Sequence, residues 1–240
     1  MIREIRKKLV VLGNRVPFAQ ETKDYIDHLE RADWIFTNLM LDGSPLSRQN
    51  VETILGGEMV LSGRIMDHVL IERLDNLRRA MYSFHNRKDY MNRRLSASLA
   101  WVFAGEDPSA AEYRKSTPTL QVYSYTPLLP PDIGPQMEGL FAFAETEKDF
   151  ENPFFKAALI HNRFLEIYPY REGNEVMART MMEYYLLRKG FPMVPLTMSE
   201  TEYNSAFVTY LKTGRSHELG EHLMKAVHDR LELMIQLTPH

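Results

Sequence analysis

Apolar residues recur at every third or fourth position through most of this chain, the spacing of one face of an α-helix. In "ETKDYIDHLERADWIFTNLML" the stripe runs through Tyr25, Leu29, Ala32 and Phe36. The next stretch, "DGSPLSRQNVETIL", predicts a turn and then a short helix: Pro45 breaks, Ser47 caps, Val51, Ile54 and Leu55 form the apolar face, and Gly56 and Gly57 end it. From Ile65 to Phe84 the residues Val69, Leu70, Leu74, Leu77 and Met81 mark a long amphipathic helix, and Leu95 to Phe103 another.

The interval from Glu106 to Pro135 breaks this rhythm. Its segment "STPTLQVYSYTPLLPPDIGP" carries five prolines and a short alternation through Leu120, Val122 and Ser124, which predicts a surface loop or small hairpin. Helical character resumes with "QMEGLFAFAETE". The next helix has Asn152 as N-cap and Pro153 in its first position, and another follows from Gly173 to Lys189, closed by Gly190 and Pro192. No internal repeat, low-complexity tract or interdomain linker is visible. The pattern predicts a mainly α protein with one small strand element.

Composition narrows the function classes. A chain of 240 residues, 44% hydrophobic, can bury one sizeable core or a core with a small appended lobe. Its formal charge of -3 supplies no global basic field, so nucleic acid is not implied. No apolar run is long enough to span a bilayer, and the opening "MIREIRKKLVVLGNR" is too short in apolar residues for a signal peptide; the expectation is a soluble, cytoplasmic protein with no membrane partner. The absence of cysteine excludes disulfides, thiolate metal sites and a cysteine nucleophile. His161 shares a helix face with Phe154, Ala158 and Leu165, which points to a packed histidine. His85, His217, His222 and His228 show no metal-ligand spacing, and the Met-rich "VMARTMMEYY" reads as core.

The stretch "YPYREGNEVMAR", residues 168 to 179, holds the candidate chemistry. A helix beginning at Gly173 and Asn174 presents unpaired backbone N–H groups and the positive end of its dipole, a setting that suits an anion. Glu175 puts a carboxylate into that same first turn, and it stands four residues before Arg179, the favourable order for an ion pair along a helix. From these residues alone, an anion site and an ordinary helix start both remain open.

The wider segment "AALIHNRFLEIYPYREGNEVMARTMMEYYLLRKGFPMVP" resembles the centre of the Fic (Fido) domain family, whose motif is HxFx(D/E)GNGRxxR. Further stretches fit in the same order. "TNLMLDGSPLSRQNVETIL" is similar to the family's inhibitory-helix segment, "AEYRKSTPTLQVYSYTPLLPPDI" to its flap, and "SETEYNSAF" to its later helix, so that the likeness runs from roughly residue 20 to 230. The resemblance implies a Fic-type helical fold with a β-hairpin flap, divided as an N-terminal helical extension over 1–30 and the domain over 31–235. It also implies AMP transfer from ATP, with Mg2+, to a hydroxyl of a target protein aligned on the flap residues Leu120, Val122, Tyr123 and Tyr125. A homo-oligomer is a further expectation.

Residue by residue, Glu172, Gly173, Asn174 and Arg179 keep the motif, and Tyr170 stands for its phenylalanine. The resemblance casts Glu172 as the metal-holding acid, Gly173, Asn174 and Arg179 as nucleotide contacts, and Asn38, Asp42 and Gly43 as equivalents of the inhibitory motif, with Asp42 in place of a glutamate one methylene longer. Three positions depart. Tyr168 replaces the general-base histidine, Glu175 the second glycine, and Val176 the first arginine. Three readings follow: a scaffold with lost or impaired transfer that acts in binding or regulation; an active transferase of a phosphate-containing group using Tyr168 and Glu172; and an interaction scaffold whose cleft is packed shut.

Overall fold

A computed structural model describes residues 1–60, 64–105, 107–146 and 152–238. Glu106, where the proline-rich interval was expected to begin, and Glu147, the expected end of the helix after it, lie outside these. The described chain is helical: α1 (Ile2–Gly13), α2 (Gln20–Leu41), α3 (Arg48–Leu55), α4 (Ile65–Asn86), α5 (Arg93–Phe103), α6 (Pro130–Glu145), α7 (Pro153–Ile167), α8 (Asn174–Arg188), α9 (Glu200–Thr213) and α10 (His217–Leu237).

Helix α8 is the centre of the molecule. Every residue from Val176 to Leu187 is buried, so the helix is enclosed on all sides rather than striped. It packs most extensively on α7, while α4 and α5 also contact it; α10 lies on α7, and α1 on α10. Large side chains fill the space between them, among them Trp34, Phe154, Phe164, Tyr170, Tyr184 and Phe207. Because Ile5 of α1 is fully buried and α2 runs unbroken through residues 30 and 31, the expected division between extension and domain falls inside a continuous helix.

Local capping accounts for several boundaries. Ser47 accepts the Asn50 N–H in a capping box, and Asn152 accepts the N–H of Phe154 ahead of Pro153. Three expectations need correction. Of the expected α2 stripe Ala32 is buried and Leu29 and Phe36 are half-buried, but Tyr25 is exposed; the buried face also takes in Ile26, Glu30, Trp34, Ile35 and Leu39, because α2 faces α3, α4 and α9 at once and buries polar groups as well as apolar ones. Helix α6 begins at Pro130, not after Pro135: its first two prolines stand where no backbone donor is required, so only Pro135 removes a helical hydrogen bond.

The third concerns the flap. No hairpin strands form there among the described residues. Leu120 and Tyr125 make one isolated antiparallel bridge, with N–H to O distances of 2.8 and 3.2 Å, around a 3-10 turn at Gln121–Tyr123, and Ser124 sits at φ 49°. Three alternating positions between prolines are too few to extend a two-stranded ladder, and a lone hairpin is marginal in water.

Candidate active site

The motif loop between α7 and α8 is held from several sides. Tyr168 ends α7 in the left-handed region, at φ 50°, and Gly173 opens α8 at φ 72°. A Cβ on Gly173 would lie 2.7 Å from Phe103 of α5, so only glycine fits the approach. Asn174, fully buried, spans the loop: its Oδ1 accepts the Tyr170 N–H and its Nδ2 donates to the Tyr170 carbonyl, each at 2.8 Å. Tyr170 in turn shares a 2.7 Å hydrogen bond with Ser96.

Buried Arg114 fastens the base of the flap to the same loop. Its guanidinium donates to the carbonyls of Tyr168 at 2.7 Å, Ser116 at 2.8 Å, Leu128 at 2.5 Å and Ile167 at 3.3 Å, while its N–H donates to Pro169 at 2.9 Å. An unbranched cation could not serve so many acceptors in one plane; the arginine fork does.

At the start of α8 the site holds its own anion. The Tyr168 hydroxyl donates to Glu175 Oε1 at 3.1 Å, and the Glu175 carboxylate accepts its own backbone N–H in the first turn. Burial and then the adjacent Glu175 raise the Tyr168 phenol above its ordinary range, so it retains its proton and acts as a donor. Burial likewise raises Glu175, partly offset by those two hydrogen bonds. Val176 is buried and offers no charge to the cleft.

Arg179 does not pair with Glu175, as the four-residue spacing suggested. It reaches instead to α2. Its Nε donates to Asn38 Oδ1 at 2.8 Å, and its Nη2 forms a 2.7 Å ion pair with Asp42 and approaches the Asn38 carbonyl at 3.5 Å. Aspartate is long enough because Asp42 is the C-cap of α2 and Gly43, at φ 75°, turns the chain immediately after it. Burial works against the Arg179 charge, but Asp42 and Tyr203 outweigh it and the pKa is raised.

From Arg179 a buried row of hydrogen bonds continues through the core. Nη1 donates to the Tyr203 hydroxyl at 3.4 Å; Tyr203 meets His161 Nε2 at 2.5 Å; His161 Nδ1 meets Asn162 Oδ1 at 2.8 Å; and Asn162 Nδ2 donates to Ser216 at 2.9 Å. One arrangement satisfies all of them, with Tyr203 donating to Nε2 and Nδ1–H donating to Asn162. His161 is thus a neutral core histidine, its pKa pushed down to about 3 chiefly by burial.

The remaining expected residues separate. Glu172 is exposed and pairs with Arg171 at 2.7 Å. On the flap Val122 is exposed at 71%, whereas Tyr123 is buried edge-on against Phe207 with ring centroids 4.9 Å apart. Burial, then Tyr203 and Glu175, raise the Tyr123 phenol, which places it beside the same polar cluster. Leu120 is half-buried, and Tyr125 donates to the Glu166 carbonyl at 3.2 Å. Among the described residues no group of three or more His, Asp or Glu could hold a metal ion. Nor is any helix long and apolar enough to cross a membrane. Tyr203 and Arg114 lie in the segments "SETEYNSAF" and "AEYRKSTP", but sequence spacing gave neither a partner, since each acts on residues far away along the chain.

Two helices joined by a Gly-Asn turn, a flap anchored on that turn, and an arginine paired back to an N-terminal helix are arranged as in a Fic-type helical fold. Residues 70–186 match the family model described as Fic/DOC family. The fold is that of a Fic-domain-containing signalling protein from Bacteroides thetaiotaomicron, at a TM-score of 0.81 and 17% identity, covering 98% of this chain and 97% of that one. Fic-1 from C. elegans aligns with a TM-score of 0.79 and 17% identity over 98% of this chain and 71% of that one. Among curated relatives, protein adenylyltransferase fic-1 of Caenorhabditis elegans is 25% identical over 178 residues, 71% of this chain and 34% of that protein. Protein adenylyltransferase Fic of Culex quinquefasciatus is 24% identical over 206 residues, 83% of this chain and 39% of that protein. The chain spans little more than a third of the length of these relatives.

Proposed function

We propose that this protein is a Fic-fold binding or regulatory protein in which AMP transfer is lost or strongly impaired. The observation that carries the proposal is the Tyr168–Glu175 contact at the N-terminus of α8. A protein carboxylate takes the N–H and dipole end that a transferred phosphate would need, and a phenol that keeps its proton stands where a base is required. Val176 adds no cation to compensate. Misplacing a single charge-stabilising group costs about 100- to 1000-fold in rate, and here three functions are altered together.

ATP and Mg2+ fit these residues poorly. Glu172 faces solvent against Arg171, and Arg179 is committed to Asp42, so neither is free to take a metal or a phosphate without breaking an existing pair. The Tyr168-plus-Glu172 chemistry gains no support either, because Tyr168 bonds to Glu175 instead. The closed-scaffold reading is favoured by one observation, the burial of Tyr123 against Phe207 beside the polar cluster, and it leaves exposed Val122 as the flap residue available to a protein partner.

Calorimetry with ATP and Mg2+ tests the proposal. The expected result is no binding at micromolar concentration; micromolar affinity would overturn it. The variant carrying Tyr168→His, Glu175→Gly and Val176→Arg is expected to gain nucleotide binding and labelled self-modification that the natural chain lacks.

A further inference from the structure

A concavity of about 170 Å3 opens beside the motif loop and shares none of its lining with the Asp42–Arg179 cluster. Phe103 and Ala100 of α5 and Met177 of α8 supply its apolar surface, and Arg73, Asp107, Arg171 and Glu172 its charges. Three of those four charges are already engaged. Arg171 and Glu172 pair at 2.7 Å, and Asp107 accepts the Ser109 N–H at 2.9 Å.

The Arg73 guanidinium has no hydrogen bond or ion pair to any described residue. It is half-buried on α4, beside Gly105, where a Cβ would come within 3.2 Å of its Nη2; the glycine leaves the guanidinium room at the cavity. A guanidinium without a partner among the described residues, next to an aromatic ring and a thioether, matches a flat apolar body bearing one acidic group.

We propose that this cavity binds a small aromatic acid, with its carboxylate or phosphate on Arg73 and its ring against Phe103 and Met177. The site lies on the Phe103 side of the motif loop, away from the Asp42–Arg179 pair, and bears on that loop. Phe103 is the residue against which Gly173 packs, and Glu172 forms part of the wall, so an occupant pressing on Phe103 presses on the turn that carries Glu175.

The test uses the full chain with carbon-13-labelled methionine methyls, the Met177 signal being assigned from Met177→Leu. Benzoate, phenyl phosphate and the neutral benzamide are titrated in turn. At least one acid is expected to shift the Met177 methyl saturably, at least tenfold more tightly than benzamide, and the tighter of the two identifies the head group as carboxylate or phosphate. Arg73→Gln should weaken acid binding about tenfold while leaving benzamide unchanged, as loss of a charge-assisted contact predicts. Unaltered signals from the other methionines show that this variant is folded. The absence of a saturable shift with either acid, equal binding of benzamide, or undiminished acid binding by Arg73→Gln would overturn the proposal. None of these outcomes bears on ATP binding at Glu175, which calorimetry reads separately.

Discussion

Asp42→Ala removes the carboxylate that faces Arg179 and leaves a guanidinium buried beneath α2. Two unit charges about 4 Å apart attract by about 4 kcal/mol at an effective dielectric near 20. Breaking a buried pair from one side costs about 3 to 5 kcal/mol, most of it the stranded charge. The Arg179 side chain is 3% exposed but that of Asp42 is 30% exposed, so water reaches the vacated space, and Asn38 and Tyr203 still accept from the guanidinium. The loss is therefore set at or just below the bottom of that range, at about 2 to 3 kcal/mol. Urea unfolding of wild type, Asp42→Ala, Arg179→Met and the double variant measures it, with an expected coupling energy of about 2 kcal/mol. A cost below about 0.5 kcal/mol with no coupling would mean that the pair behaves as an ordinary surface bridge, and the reasoning that Arg179 is locked away from the cleft would fail.

Other outcomes are equally specific. Glu183, enclosed on α8, has its pKa pushed up to about 8, first by burial, with Glu30 adding to the effect and the Val194 N–H and Arg230 opposing it; His161 is pushed down to about 3. The folded chain holds the Glu183 proton that the unfolded chain loses above about pH 4.5, so this group's contribution to stability falls as pH rises towards 8; the His161 contribution instead falls as pH drops below about 6.5. Between pH 6.5 and 8 the Glu183 effect acts without the other, at roughly 1.4 kcal/mol per pH unit, and Glu183→Gln should flatten that slope in urea titrations; an unchanged slope would refute it. Arg114→Ala strands four backbone carbonyls and should cost about 3 to 5 kcal/mol, read by thermal unfolding and by faster proteolysis of residues 115–129, with Arg114→Lys recovering only part. Gly173→Ala should cost about 1 to 3 kcal/mol, because it adds contact with Phe103 to the positive-φ strain. Gly43→Ala, whose Cβ would lie 3.6 Å from Glu200, should cost about 1 kcal/mol or less, and equal losses would show that the Phe103 contact is unimportant.

What the sequence determined by itself was local or shared in order with a family. Helical periodicity, the caps at Ser47 and Asn152, the glycine opening α8 and the three departures at Tyr168, Glu175 and Val176 could all be read from neighbouring residues. Tertiary structure decided the partners. Glu175 and Arg179 have the spacing of an ion pair, but the first turn of α8 offers Glu175 its own N–H and the Tyr168 hydroxyl, while Arg179 lies beneath Asn38 and Asp42, far away along the chain. The alternation at Leu120 to Ser124 likewise could not reveal that Tyr123 turns inward against Phe207 and leaves a turn instead of a hairpin. Periodicity reports which face of an element is apolar; which charge meets which depends on how helices distant in sequence are set against one another, and that is fixed only when the core closes.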